Sequence, residues 1–499
     1  MPLAVVSQPT RWSSCYRPMT FELSSDRFPN STLGEINIPL ATITQDVFER
    51  VVLQTVVPFG TYPLSAGDTI EITLTDNGLY QGTWRVLSVT DIGGGILQAV
   101  FDAPYVGADT GGFVSRLYPD LRIVCAVTFP EFGRIVEVDL RPDENYRFFA
   151  DVSDICARQF ESVFDHVTPG GALGLAGSGD KCIATAYDVT FIERYTKWED
   201  GEPTVTDDTD SAEKIRGFRA VNMVHPYYRN GDGPDLDWST DIGNVFPMGG
   251  ATGASTRPAL TYGSRSLQVV ESGDDFLLAV LCDTSGEAAW TISVTSYLDG
   301  SPISIHTALI PSLPRYAAVF AVGPAQLPGL LTGADSYLIR ITNRNGQDIL
   351  EPFTLKYESC IQSEVSRRIW WRNKLGGIDQ FTFRGREVER PSATRQSVTR
   401  MSNPLPVDTL YRGGWMERVS RVMPTRTRSL SSRFLSALES RWLTEDFFES
   451  SDHALNPRKG WWSPVIVEST DAVPFGTDRV AQRFSFDYHL GVDNMSQRA

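Results

Sequence analysis

Short segments in which apolar and polar residues alternate run through the first three quarters of the chain. Each is bounded by Gly, Pro, Asn or Asp, which is typical of antiparallel β-sheets. The pattern predicts strands at Met19–Leu23, Thr69–Leu74, Thr83–Val89, Leu97–Phe101, Arg122–Phe129, Arg134–Leu140, Ile183–Phe191, Phe276–Leu281, Trp290–Tyr297, Tyr337–Thr342 and Phe353–Tyr357. Helical periodicity is rare. The sequence therefore predicts a mainly β, multi-domain protein with immunoglobulin-like β-sandwiches.

The stretch GDTIEITLTDNGLYQGTWRVLSV predicts a hairpin, because Asp76-Asn77-Gly78 supplies the residues that tolerate positive φ in a tight turn. A third strand follows Gly93-Gly94-Gly95. Met19–Leu23 and Arg122–Phe129 have the pattern of strands of one sheet, and they are separated by a self-contained unit. We therefore expect residues 35–118 to form a small β-barrel inserted into the first sandwich.

Composition shifts and loop-rich stretches divide the rest of the chain. The predicted divisions are 1–34 plus 119–165 as the first β-sandwich, 35–118 as the inserted barrel, 166–260 as a loop-rich β region, 261–383 as a second β-sandwich, and 384–499 as an Arg-rich segment with a C-terminal α+β module. In the third division, the glycine-rich GGALGLAGSGD and the acidic WEDGEPTVTDDTDSAE are poor in apolar residues. We expect both to be exposed, the first as a flexible loop.

Two helices are predicted. Asp151 or Ser153 can cap a short one after the turn at 141–145. The longer one, residues 430–449, is amphipathic and can be capped by Ser431 or Ser432. Its apolar stripe consists of Phe434, Leu435, Leu438, Trp442 and Leu443.

With 499 residues, the chain is long enough for several domains that each bury a core. It contains neither an apolar stretch long enough to span a membrane nor a signal-peptide pattern at its N-terminus. The six cysteines have no metal-binding spacing, and most lie in apolar runs. We therefore expect buried thiols in a soluble protein that folds in a reducing cytoplasm.

The formal net charge is −16, which argues against sequence-specific or general binding of nucleic acid. Residues 384–441 depart from this balance, with twelve Arg, no Lys and five acidic residues. A basic segment on an acidic protein can dock on the acidic surface of a neighbouring subunit through its guanidinium groups. The alternative interpretation is a solvated tail.

The sequence contains few candidate motifs for catalysis or ligand binding. GLAGSGDK has the glycine spacing of a phosphate-binding loop, but Asp180 replaces the required Lys and a strand pattern follows it. Asp232, Asp235, Asp237 and Asp241 could hold calcium on a loop, as could Asp207, Asp208 and Asp210, although solvated acids explain both groups. The five His are far apart, and no GxSxG motif occurs. We expect a non-enzymatic protein without metal or cofactor.

The strongest local signal is SRRIWWRNKLGGIDQFTFRGRE, residues 366–387. It predicts a strand at Arg368–Trp371, a tight turn at Asn373–Gly377, and a strand at Gln380–Phe383. A well-packed hairpin is a sufficient explanation of these residues.

WWRNKLGGIDQFTF also resembles an element common in virion structural proteins of tailed phages and prophages of Bacteroidota. The opening QPTRWSSCYRPMTFELSS, the IVEVDLRPDENYRFFADVSDICARQF stretch and residues 442–483 are similar to further elements of that group, in the same order. Residues 197–260 do not align. The group supplies no catalytic residues, and the resemblance implies a component of the tail, baseplate or neck.

These observations together predict a virion structural protein that forms a ring or connector with copies of itself and with other tail or neck proteins. The candidate subunit-contact residues are Arg412, Arg418, Arg421, Arg426, Arg428, Trp370, Trp371, Asn373, Gly376, Gly377 and Asp379. The alternatives are a tail-tip protein that binds a host receptor or surface glycan through aromatic residues, and a glycan-cleaving enzyme on the same scaffold.

Overall fold

The structure is a computed structural model in which the chain divides into two compact units. It describes residues 3–25, 38–45, 50–55, 64–92, 97–118, 120–145, 147–168, 171–200, 202–223, 242, 259–261, 268–270, 274–282, 289–327, 334–357, 365–385, 387–400, 416–458, 461–469 and 482–491. Unit 1 comprises residues 1–9, 17–155 and 186–218, and unit 2 comprises 10–16, 156–185 and 219–499. Strands dominate the described residues, so the predicted mainly β, multi-domain class is confirmed. Among those residues, no helix is both long and apolar enough to cross a membrane.

Unit 1 contains a β-sandwich and a closed sheet. Its strands are β1 (Leu3–Ser7), β3 (Thr20–Ser25), β4 (Ile38–Gln45), β5 (Val51–Thr55), β6 (Thr69–Thr73), β7 (Gly82–Asp91), β8 (Leu97–Phe101), β9 (Asp109–Thr110), β10 (Phe113–Leu117), β11 (Arg122–Phe129), β12 (Arg134–Leu140), β13 (Arg147–Asp151), β15 (Ala184–Glu199) and most of β16 (Glu202–Val221). Seven strands follow the order β10-β6-β7-β8-β5-β4-β9, and β10 also pairs with β4, which closes the sheet. The predicted β6–β7 hairpin and its third strand β8 are present.

The sandwich of unit 1 corrects one prediction. Thr20–Ser25 lies in the sheet β1-β3-β13, whereas Arg122–Phe129 lies in β12-β11-β15-β16, so the two segments do not share a sheet. They belong to opposite layers, and Phe21 packs edge-on against Phe191 with 5.5 Å between ring centroids. Alternation alone shows that a strand has one buried face, but not which sheet it joins. The short helix α1 (Ser153–Ala157) forms as predicted, and Asp151 Oδ1 accepts a hydrogen bond from Ser153 N at 3.0 Å.

Unit 2 holds three further sheets. Its strands are β2 (Trp12–Ser14), β14 (Gly174–Ser178), β17 (Gln268–Val270), β18 (Leu277–Leu281), β19 (Trp290–Leu298), β20 (Ser301–Ile310), β21 (Ala317–Ala321), β22 (Ser336–Thr342), β23 (Phe353–Tyr357), β24 (Val365–Arg372), β25 (Ile378–Gly385), β26 (Glu387–Arg400), β27 (Met416–Leu435), β28 (His453–Arg458), β29 (Trp461–Ser469) and β30 (Gln482–Leu490). The sheets β14-β21-β18 and β17-β23-β22-β19-β20 enclose a core around Trp290 and Phe320. The C-terminal sheet has the order β25-β24-β28-β29-β30-β27-β26.

The acidic stretch is largely exposed, as predicted, and lies on the 16-residue β15 and the 20-residue β16, where strand pairing satisfies its backbone. Two local predictions are wrong. Within the glycine-rich loop, Gly174–Ser178 forms β14 and pairs with β21. The helix expected over 430–449 begins only at Ala437: β27 runs to Leu435, Ser436 caps α2 (Ala437–Trp442) through Glu439 N, and a π-helical turn follows at Leu443–Phe447. A helix from 430 would have removed most of the β27 residues that pair with β30.

Candidate functional site

The segment that carries the strongest sequence signal folds as the hairpin β24–β25, here called the motif hairpin. In its antiparallel register, Trp371 lies opposite Asp379 and Trp370 opposite Gln380. Its tight turn is closed by hydrogen bonds from Asn373 N to Gly377 O at 3.0 Å and from Gly376 N to Asn373 O at 2.9 Å. The predicted strand–turn–strand arrangement is confirmed.

The two turn glycines stand where side chains do not fit. Gly376 has a φ of +80°, and a Cβ there would lie 2.5 Å from the carbonyl oxygen of Asn222. A Cβ on Gly377 would lie 2.7 Å from that of Leu260. The turn is therefore pressed against two other backbone segments of unit 2, and glycine is required by close approach as well as by conformation.

Polar side chains of the motif hairpin connect it to neighbouring strands. Asn373 donates from Nδ2 to Leu260 O at 2.7 Å and accepts at Oδ1 from Gly377 N at 2.9 Å. The Gln380 amide accepts from Leu277 N and donates to Leu277 O, both at 2.9 Å, in the manner of a strand neighbour. These buried bonds join the C-terminal sheet to β18 of the second sandwich.

Two acidic side chains are buried behind the motif hairpin. Asp379 has no exposed surface and Asp446 is 1% exposed. Trp442 Nε1 donates to Asp379 at 3.1 Å, while Asp446 accepts from Trp371 Nε1 at 3.2 Å and from Lys374 N at 2.8 Å. Burial and the neighbouring Asp446 raise the pKa of Asp379 well above its usual range, and burial raises the pKa of Asp446 as well. The two carboxyl groups interact directly, and a protonated Asp379 can donate a hydrogen bond to Asp446.

The aromatic members of the motif hairpin pack inside unit 2. Trp371 is fully buried against Trp442 and Phe447, and Trp370 is 4% exposed with its ring edge-on to Trp462 at 5.1 Å. Asn373 is 3% exposed. The structure thus brings the motif residues together at the base of the C-terminal sheet. Their contact with another subunit stays a prediction, and their direct role in this chain is to connect strands.

The Arg-rich segment forms the long hairpin of β26 and β27, here called the arginine ribbon. Its register runs from Glu387 opposite Leu430 to Arg400 opposite Met416. Arg418 and Arg421 lie on β27, and Arg412 lies outside the described residues. Arg426 and Arg428 approach Glu389 at 3.4 Å and 3.7 Å. Both pairs are exposed or half-exposed, so each contributes little to stability.

The other candidate ligand-binding residues have structural partners where they are described. The Asp180 carboxylate accepts hydrogen bonds from the backbone N–H groups of Arg315, Tyr316 and Ala317 at 2.9, 2.7 and 3.0 Å. These hydrogen bonds connect the residues that follow β14 to the start of β21. Asp207 pairs with Arg194, which lowers the pKa of that carboxyl. The four Asp at 232–241 lie outside the described residues, and the described part of the chain holds no cluster of possible metal ligands.

The described cysteines, Cys15, Cys125, Cys156, Cys182 and Cys282, are all buried free thiols, as the sequence predicts. Burial raises the pKa of Cys15, Cys125 and Cys182 to about 12, so these groups stay protonated at neutral pH. Cys360 lies outside the described residues.

Comparisons with known proteins leave the family open. No family model and no curated protein matches the chain. A solved structure described as a tetra-tandem repeat in the extending region of a large adhesion protein is 11% identical, covers 86% of this chain and 95% of its own, and has a TM-score of 0.19. A likeness at that TM-score carries no inference about fold or function.

Proposed function

We propose that the chain is a non-enzymatic structural protein of a phage virion, which assembles in the tail, baseplate or neck with copies of itself and with other virion proteins. The observation that carries this proposal is the arginine ribbon. The Arg-rich segment forms two long paired strands in the described residues, and such a surface can be presented in the same way by every copy.

The ribbon is anchored at one end to a packed sheet. From Arg428 to Leu435, β27 pairs with β30 on the side away from β26. Closer to the tip, from Met416 to Thr427, its described ladder partner is β26 alone. A strand that is fixed at its base and open along its length is suited to contacts between subunits, because pairing costs little further ordering of the backbone.

The motif hairpin packs against the arginine ribbon. β25 packs against β27, and the fully buried Phe383 contacts Phe484 and Phe486 of β30 with centroid distances of 6.1 and 5.0 Å. In this proposal the motif residues act by positioning the sheet that carries the ribbon. Their burial and hydrogen bonds account for the Trp, Asn, Gly and Asp at these positions of this chain.

The test is to replace Arg421, Arg426 and Arg428 by Glu and to measure the native mass by light scattering. We expect the triple variant to lose assembly while it keeps the thermal unfolding profile of the wild type. The matched control replaces the exposed Arg141, Arg158 and Arg344 by Glu, which changes the net charge by the same amount elsewhere. Unchanged assembly of the ribbon variant, or equal loss in the control, would remove the ribbon from the proposal.

A further inference from the structure

The strongest negative charge of the described strands lies on the β15–β16 hairpin. Residues 199–213 contain seven acidic residues and no Lys or Arg. We call this stretch the acidic hairpin. It joins the end of β15 to the first half of β16, and Asp200, with a φ of 50°, lies in the connecting turn. The charge is therefore held on an ordered pair of strands.

One edge of the acidic hairpin is open. β16 pairs with β15 on one side, while on its other side only Arg219–Val221 have a ladder partner among the described residues, the short β2. Side chains along the open length are largely exposed, including Val205 at 56%. An edge of this kind offers unpaired backbone N–H and C=O groups to another strand.

Most of the acidic side chains remain available for a partner. Asp207 is neutralised within the sheet by Arg194, which also approaches Glu137 and Asp139. In the described part of the chain, the carboxylates of Glu202, Asp210 and Glu213 form no ion pair. The open edge therefore retains net negative charge.

The arginine ribbon has the complementary properties. Its two strands carry eight Arg, three Glu and no Lys or Asp. β26 is the last strand of its sheet, so the ribbon also ends in an open edge among the described residues. Guanidinium groups form forked hydrogen bonds with carboxylates, and several such pairs at one interface align two strands as well as attract them.

We propose that the acidic hairpin of one copy is the docking surface for the arginine ribbon of a second copy. The inference rests on the proposed function and specifies the partner surface that it left open. Because the two surfaces are different parts of the same chain, the contact is head-to-tail, and repetition closes into a ring when the rotation between copies permits. The open strand edges then face each other, and backbone pairing can extend a sheet across the interface.

The experiment is a charge exchange in the full-length chain. One variant carries Arg421, Arg426 and Arg428→Glu, a second carries Glu202, Asp210 and Glu213→Lys, and a third carries all six changes. The control replaces the exposed Glu144, Asp154 and Glu351 by Lys. Native mass is measured by light scattering over a range of protein concentration, after circular dichroism has established that each variant is folded.

We expect each triple variant to raise the concentration needed for assembly by about tenfold or more, and the six-fold variant to restore it to near the wild-type value. The control should assemble as the wild type does. If the variant with all six changes still needs as high a concentration for assembly as the triple variants, the inference is overturned.

Two outcomes of the experiment distinguish a wrong docking surface from a wrong proposed function. If the ribbon variant loses assembly and the Glu202, Asp210 and Glu213→Lys variant does not, the ribbon docks elsewhere and the acidic hairpin is the wrong partner. If the wild-type chain shows no self-association at any concentration, the self-assembly proposed above falls first.

Discussion

Replacement of the buried Asp379 by Asn is expected to stabilise the protein, and to do so increasingly as the pH rises. Asp379 accepts from Trp442 Nε1 and lies against Asp446, with its pKa raised well above the usual range by burial and by that neighbour. An amide keeps both contacts. Its oxygen accepts from the indole and its NH₂ group donates to Asp446, as the protonated carboxyl does.

The magnitude follows from proton linkage. In the unfolded chain an Asp loses its proton near pH 3.9, whereas folded Asp379 retains it to higher pH. The folded state therefore binds the additional proton, and its contribution to stability is complete below the unfolded pKa and lost as the pH rises through the folded pKa. Within that window the free energy of unfolding falls by about 1.4 kcal/mol per pH unit.

His453 produces the opposite slope at acid pH. Burial lowers its pKa from 6.5 to about 4, and its Nε2 lies 2.6 Å from the carbonyl oxygen of Phe447. The stability from neutral His453 is present above pH 6.5 and is lost as the pH falls towards 4. In the wild type the two slopes largely offset each other in that interval, so the effect of Asp379 is clearest above pH 6.5 and in the difference between variant and wild type.

The assay is urea unfolding, followed by tryptophan fluorescence at half-unit steps from pH 4.5 to 9. Asp452, whose pKa is raised by burial, titrates in both proteins and cancels in the difference. Asp446 contacts Asp379 directly, so the difference reports the titration of this pair of carboxyl groups. Exposed Glu351→Gln is the control for loss of a carboxylate. If the difference between the Asp379→Asn variant and the wild type does not vary with pH, the raised pKa of Asp379 is refuted.

Further substitutions and one labelling experiment test the same structure. Asn373→Ala should lower the free energy of unfolding by about 2–4 kcal/mol, because Leu260 O and Gly377 N lose a buried partner; urea titration measures it, and a loss below about 1 kcal/mol would contradict the account. Gly376→Ala should cost about 2 kcal/mol or more through positive φ and the close Asn222 oxygen, and a neutral result in the same titration would show that the turn can shift. Asp180→Ala should lower the melting temperature, since three backbone N–H groups lose one carboxylate; Asp180→Asn should recover part of the loss, and equal melting of both variants would contradict the bonding scheme. Mass spectrometry after native alkylation at pH 8 should find Cys125 unmodified until denaturant is added, and rapid modification would show that it is not buried as described.

The sequence predicts the β architecture well where alternation is clear and turn residues are explicit. Arg122–Phe129 and Arg134–Leu140 form strands with the predicted bounds, and Asp76-Asn77-Gly78 separates β6 from β7. Sheet membership is less accessible, because alternation does not show which strands meet. Leu435 illustrates a second limit: helical spacing and strand pairing compete for one segment, and β30 decides the outcome.

The sequence predicts only part of the buried cluster. The motif contains Trp371, Asn373 and Asp379, but Asp446 lies in the segment predicted as a regular amphipathic helix, where an acid after Glu445 has the pattern of a solvated face. Its burial arises from the π-helical turn at Leu443–Phe447 and from the indole and backbone donors it accepts. For Gln380 the sequence predicts only a place in a strand, whereas in the structure its amide joins two sheets. Contacts between residues this far apart leave no local signal.

The measurement that tests the central claim most directly is the native mass of the purified wild-type chain by light scattering, over a range of protein and salt concentration. If copies associate through the arginine ribbon, the protein forms a discrete multimer as it is concentrated, and this multimer dissociates as salt screens the charged surfaces. A monomer at every concentration, or an assembly indifferent to salt, would contradict self-association through the arginine ribbon.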